Sequence, residues 1–270
     1  MPFTPSHAVV ALPFLRTPLV PAAIAIGAMT PDLPLFIRGF GVDYSFTHTY
    51  ANIVFTAVIA LGLFLLWRAV LRPAAAELSP AWLASRLPIG WNTPAAEALN
   101  EALGIGQRWT RPLWLAVSLL LGVTSHIVWD AFTHEGRAGV GFLPVLAEQW
   151  GPLPVYRWLQ HGSSILGLVI LAVWALVWLR RTPARTSIVE RTTRPWVRVT
   201  WWVSLPVILI AAWVAGYVLL GPFDAGFTVQ HLAYRALPMA CGVWGMLTLA
   251  LCVALPILGR RHPRGAAPRG

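Results

Sequence analysis

Five stretches of the chain are almost unbroken runs of apolar residues, at about 52–68, 112–132, 162–179, 200–220 and 237–258. Each approaches the ~20 residues that one helical crossing of a bilayer requires. The pattern predicts an all-α, polytopic helical membrane protein with about five transmembrane helices. Pro238 suits the first turn of the last run, where its missing N–H costs nothing. A sixth apolar stretch, Ala8 to Met29, differs in kind, because Pro13, Pro18 and Pro21 interrupt it and Arg16 sits near its middle. Proline inside a helix removes a hydrogen bond and clashes with the preceding turn. The expectation there is a broken-helix hairpin of two short helices, 7–15 and 20–29. No internal repeat accompanies these runs, and residues 1–259 read as a single helical membrane domain ahead of a disordered Arg-rich tail, 260–270.

Composition agrees with a bilayer setting. The chain is 57% hydrophobic and 11% charged, against roughly 25% charged in soluble domains. All 20 basic residues are Arg, and they lie between the apolar runs. No aromatic-interleaved basic strand is present, so the partner expected is the lipid bilayer and not nucleic acid. The loop 69–111 carries Arg72, Arg86, Arg108 and Arg111, and the loop 180–199 carries Arg180, Arg181, Arg185, Arg191, Arg194 and Arg198. By contrast, 135–160 holds only Arg137 and Arg157, and 221–236 only Arg235. Arg-rich loops stay in the cytoplasm. This places the C-terminus there, together with an excursion at 73–110 that has a short helix around 94–103, in a multi-pass cell-membrane protein. The opening Met1-Pro-Phe-Thr-Pro-Ser-His7 lacks the basic segment and cleavage site of a secretory signal. Cys241 and Cys252 share one predicted helix at ~16 Å, too far for a disulfide, and the 15 Trp read as interfacial anchors.

The chemistry concentrates in Ser125-His-Ile-Val-Trp-Asp-Ala-Phe-Thr-His134. Four-residue spacing puts His126, Asp130 and His134 on one helix face. Burying such groups is costly unless they are paired or coordinated. Six of the seven His, with Asp32 and Asp224, fall on the side of the membrane away from the Arg-rich loops. His7 and Asp32 bracket the broken apolar stretch. On a straight span they would lie ~30 Å apart, whereas in a hairpin they meet. His48 precedes the first span and His161 the third. Imidazoles and carboxylates with few Cys suit zinc or another borderline divalent ion. Asp224 and His231 lack any supporting spacing.

The opening Met-Pro-Phe-Thr-Pro-Ser-His-Ala, the segment Met29-Thr-Pro-Asp-Leu-Pro34 and Thr47-His48-Thr resemble the bacterial membrane family called domain of unknown function 4184. That family resembles inner-membrane metal-dependent hydrolases described as LexA-binding and, more distantly, the zinc-dependent phospholipase C and single-strand nuclease superfamily. The resemblance implies a metal set of His7, Asp32, His48, His126 and Asp130, with His134 and His161 holding a further metal, for one to three ions in all. Ile165 departs from it, since the superfamily tends to carry Asp or Glu four residues after the last His. The implied activity is metal-assisted hydrolysis of phosphoester or lipid-linked substrates, with Asp130 bridging ions and positioning water. Thr124, Ser125 and Thr133 are candidates to orient the imidazoles. Two other classes fit a buried His/Asp set: a transporter or proton relay, and a non-catalytic scaffold around a structural metal.

Overall fold

The computed structural model describes residues 4–38, 41–106, 109–185 and 193–259; the expected tail at 260–270 lies outside these. Among the described residues the chain is almost entirely helical. Five helices are long and apolar enough to cross a membrane: Tyr50–Leu78, Thr110–Thr133, Val155–Arg181, Pro195–Leu220 and one beginning at Val229. Contacts fall into two compact units, Met1–Leu66 with Ala96–Pro183, and Trp67–Ala95 with Ala184–Gly270.

In the first unit the hairpin forms, with a difference in its first arm. Thr4–Phe14 is a 3-10 helix, and the second arm, α1, is an α-helix at Pro21–Met29. Three residues per turn put Thr4 and His7 on one face, and both are buried. The helix at Tyr50–Leu78, α2, outruns its expected end at 68. It passes through a π-helical turn at Trp67–Leu71 just before Arg72-Pro73, the kind of local adjustment that lets a helix continue past a proline. The boundary between the units falls in that turn. The short helix expected at 94–103 is α3, Ala95–Leu103.

The packing that matters for function joins α1 to α4, Thr110–Thr133. A Cβ on Gly122 would lie 2.3 Å from the Ile24 carbonyl oxygen, and one on Gly27 would lie 2.7 Å from that of Leu119. The two backbones therefore touch directly, as small residues permit between membrane helices. Ser118 Oγ accepts the Val20 N–H at 2.9 Å and so pins the start of α1. Ala23, Ala57, Ala60, Phe64, Leu119 and Val123 form the core around this contact.

The third span, α5, runs Val155–Arg181. It starts seven residues before the expected 162, so His161 lies within the helix and not ahead of it. Before it, Gln149–Trp150 and Leu153–Pro154 pair as a minimal antiparallel hairpin that the hydrophobic pattern does not announce.

In the second unit, α6 (Pro195–Leu220) and α7 (Val229–Gly259) form an antiparallel pair. Trp201 and Trp244 pack against each other between them, tilted, with ring centroids 5.3 Å apart. The early start of α7 leaves Pro238 well past the first turn, not in it as the sequence implied. Cys252 is buried, Cys241 half-buried, and both are free thiols.

Candidate metal centre

Four side chains from three segments converge in the first unit. Asp32 ends the 3-10 turn Thr30–Asp32 that follows α1. His48 caps the one-turn helix Tyr44–Thr47, and His126 and Asp130 lie one turn apart on α4. One ligand atom from each lies within 4.8 Å of the other three. His126 Nε2 is 3.4 Å from Asp130 Oδ2 and 3.7 Å from Asp32 Oδ1. His48 Nε2 is 3.5 Å from Asp130 Oδ2, 3.6 Å from Asp32 Oδ1 and 3.2 Å from His126 Nε2. All four residues are at most 3% exposed.

Hydrogen bonding decides which atoms face inward. His126 Nδ1 is 2.7 Å from the Ala28 carbonyl oxygen, and His48 Nδ1 is 2.9 Å from that of Tyr44. A carbonyl only accepts, so each Nδ1 carries the proton and each neutral imidazole turns an Nε2 lone pair toward the cluster. Such outer partners are what orient metal-ligating imidazoles. Two lone pairs and two carboxylates then point at one another. Two unit negative charges no more than 4.8 Å apart repel by at least about 3.5 kcal/mol at an effective dielectric near 20. Five donor-poor contacts of this kind in a buried space are unfavourable unless a cation is shared among them. The donor set suits a divalent ion, since nitrogen and oxygen without sulfur is the ordinary company of zinc and its neighbours.

Outer contacts hold the carboxylates. Thr4 Oγ1 donates to Asp32 Oδ2 at 2.7 Å, and Thr47 Oγ1 donates to the Pro31 carbonyl at 2.7 Å. Burial alone would raise the Asp32 carboxyl, but the His48 and His126 imidazoles beside it and the Thr4 hydroxyl outweigh it and hold the group below its ordinary value. Burial likewise opposes protonation of His48, yet Asp130 and Asp32 raise it above the ordinary imidazole range.

Three sequence candidates sit around this core. His7 packs against His126 with ring centroids 4.1 Å apart and planes tilted by 31°, and its Nε2 is 4.0 Å from Asp130 Oδ1. His7 Nε2 and both Asp130 carboxylate oxygens are buried without a hydrogen-bond partner. Burial, with His126 beside it, pushes the His7 imidazole down to about 4, so it is neutral at physiological pH. His134 ends the four-residue stripe, because α4 stops at Thr133 and His134 is extended. It still reaches the cluster, with Nδ1 3.6 Å from Asp130 Oδ2. The Gln160 amide nitrogen is 2.8 Å from His134 Nε2. Donation there puts the proton of a neutral His134 on Nδ1, facing Asp130 as an N–H and not as a lone pair. His161 is half-buried and joins none of these contacts among the described residues, so the further metal expected of His134 and His161 lacks one of its two ligands.

Of the three hydroxyls expected to orient the imidazoles, only Thr133 touches one, His134 Nδ1 at 3.2 Å. Ser125 bonds back to Gly122 of its own helix at 2.7 Å, and among the described residues no such contact involves Thr124. The orienting groups are instead the Ala28 and Tyr44 carbonyls with Thr4 and Gln160, none of which carries a sequence signal of its own. Asp224 Oδ1 accepts the N–H groups of Gly226 and Phe227 in a local turn, and His231 Nδ1 bonds Thr228. Asp224 is thus part of loop structure, and His231 lies in the first turn of α7, bonded to the residue that precedes that helix.

The fold and the cluster together define a helical protein with membrane-length apolar helices and a buried His/Asp site able to hold a metal ion. The chain belongs to the family described as domain of unknown function (DUF4184), whose model matches residues 1–255. No curated protein and no solved structure matches the chain.

Proposed function

We propose that the protein is a membrane-embedded, metal-dependent hydrolase, with Asp32, His48, His126 and Asp130 holding a zinc-type divalent ion. The observation that carries this reading is the pair of imidazoles fixed by backbone carbonyls so that both Nε2 lone pairs meet two carboxylates. An access route favours catalysis over a purely structural ion. A cavity of about 290 Å³ is lined by His48, Thr49, Tyr50, Asp130 and Arg137, whereas a structural site is closed by its ligands. A divalent ion bound there would supply Lewis-acid polarisation and acidify water toward neutrality. Asp130 has the catalytic part. Its Oδ1, buried and unpartnered beside His7 Nε2, takes the proton of the attacking water while the hydroxyl oxygen bonds to the electrophilic centre. The same proton then passes to the leaving oxygen as its bond breaks. His7 and His134 flank the Asp130 carboxylate on either side. The Arg distribution supports a site on the outer, non-cytoplasmic side, with lipid or lipid-linked substrates within reach.

The test is metal analysis of the detergent-purified full chain, followed by hydrolysis assays on a phospholipid and phosphodiester panel before and after chelation. Near-stoichiometric divalent metal with chelator-sensitive turnover is expected. Protein that binds no divalent ion refutes the reading. Loaded protein inert toward the whole panel shifts the assignment to a scaffold.

A further inference from the structure

Resting on that reading, we propose that Arg137 is the substrate-recognition residue of the site, binding the anionic headgroup of an amphiphile. Arg137 follows Gly136, whose φ of 71° turns the chain back toward α4 after its end. The turn sets Arg137 in the wall of the 290 Å³ cavity that His48 and Asp130 also line. It is half-buried, and among the described residues its guanidinium has no hydrogen bond and no carboxylate partner. The nearest acid in sequence, Glu135, is engaged by the Tyr156 hydroxyl at 3.0 Å. An Arg left unpaired beside a cluster of carboxylates is poised for an incoming anion. Its planar fork matches two oxygens of a phosphate or carboxylate.

A second observation says what else the ligand carries. Arg137 also lines a shallow groove of about 480 Å³ whose other walls are Ala138, Val140, Gly141, Pro144 and Ala147. That groove is apolar throughout apart from Arg137 itself, and Phe142 beside it is 79% exposed. Arg137 thus lines both the cavity beside the metal-type cluster and the apolar groove. A ligand that fits both has an oxyanion at the junction, its reacting bond toward Asp130 and its hydrocarbon along Val140, Pro144 and Ala147. The same oxyanion chemistry could come from a soluble phosphate, and the groove favours the amphiphile.

The experiment measures equilibrium binding of inorganic phosphate and of a short-chain phosphatidate to the detergent-purified full chain, with metal content determined in parallel. Wild type should bind both, the phosphatidate more tightly. Arg137→Gln should weaken both about tenfold or more, as expected when a charge-assisted pair is lost, with metal content unchanged. Arg137→Lys should fall between, and Arg157→Gln should match wild type. Ala147→Glu, at an exposed groove position, should remove the advantage of the phosphatidate without altering phosphate binding. Phosphate binding as tight as phosphatidate binding overturns the amphiphile assignment. Metal-loaded protein with equal affinities in wild type and Arg137→Gln overturns the role of Arg137 and leaves the metal site standing. Wild type without metal removes the basis of both.

Discussion

Gly122→Ala is the most informative single change, because it tests whether helix contact builds the metal centre. The added Cβ would sit 2.3 Å from the Ile24 carbonyl oxygen and 2.8 Å from the Ala28 amide nitrogen, where ordinary contact begins near 3.4 Å. Both neighbours are backbone, so no side chain can swing away, and α1 must retreat from α4 by about 1 Å. The same displacement stretches the 2.7 Å bond from His126 Nδ1 to the Ala28 carbonyl beyond hydrogen-bonding range. Overpacking costs about 1–3 kcal/mol, and the lost bond adds about 0.5–1.5 kcal/mol. Freed from its carbonyl, His126 can rotate or change tautomer, and loss of such an outer partner typically weakens metal binding ~10–100-fold. Thermal unfolding in detergent and zinc equilibrium dialysis measure the two effects. Gly62→Ala, where an added Cβ meets nothing within 4 Å, is the control and should change neither. Wild-type melting and zinc affinity in Gly122→Ala would refute the claim that this close approach positions His126.

Asp130→Asn should lose most bound metal and all metal-dependent turnover while circular dichroism stays helical, because the amide keeps the shape and loses the charge. Thr4→Val leaves the buried Asp32 Oδ2 without its hydroxyl donor and should destabilise by about 1–3 kcal/mol; an unchanged melting temperature would argue against that bond. His161→Ala should leave metal content at the wild-type level and His126→Ala should not; equal losses would return His161 to the site. Metal should be retained at pH 8 and released on acidification. His48 has its imidazole value raised by Asp130 and Asp32, so its proton competes with the ion at a higher pH than at an ordinary imidazole near 6.5. Release beginning only well below pH 5 in zinc dialysis would contradict this.

Much of the architecture is legible in the sequence. Five membrane-length helices follow from uninterrupted apolar runs, since a backbone in hydrocarbon has few ways other than a helix to satisfy its own hydrogen bonds. Three prolines and Arg16 sufficed to predict the hairpin, and the pairing of His126 with Asp130 follows from the helical repeat alone. Helix ends were less legible. Polar residues such as Gln160 and His161 look like loop in the pattern, yet α5 already includes them. The helix at Tyr50–Leu78 continues past 68 because a π-helical turn accommodates Pro73, an outcome set by local geometry and not by hydrophobicity.

What the sequence by itself determined is local: where the chain is apolar, where proline breaks it, and which residues share one helix face. The motifs named the candidate ligands, and tertiary structure decided which of them meet and how. Asp32 and His48 meet His126 because Gly27 and Gly122 let two backbones touch, a contact 95 residues apart in the chain. The imidazole lone pairs face inward because carbonyls of Ala28 and Tyr44 happen to lie behind them, and a carbonyl has no residue type to read. His134 and His161 show the converse. They look equivalent as candidate ligands, but only His134 lies where the end of α4 turns back over Asp130.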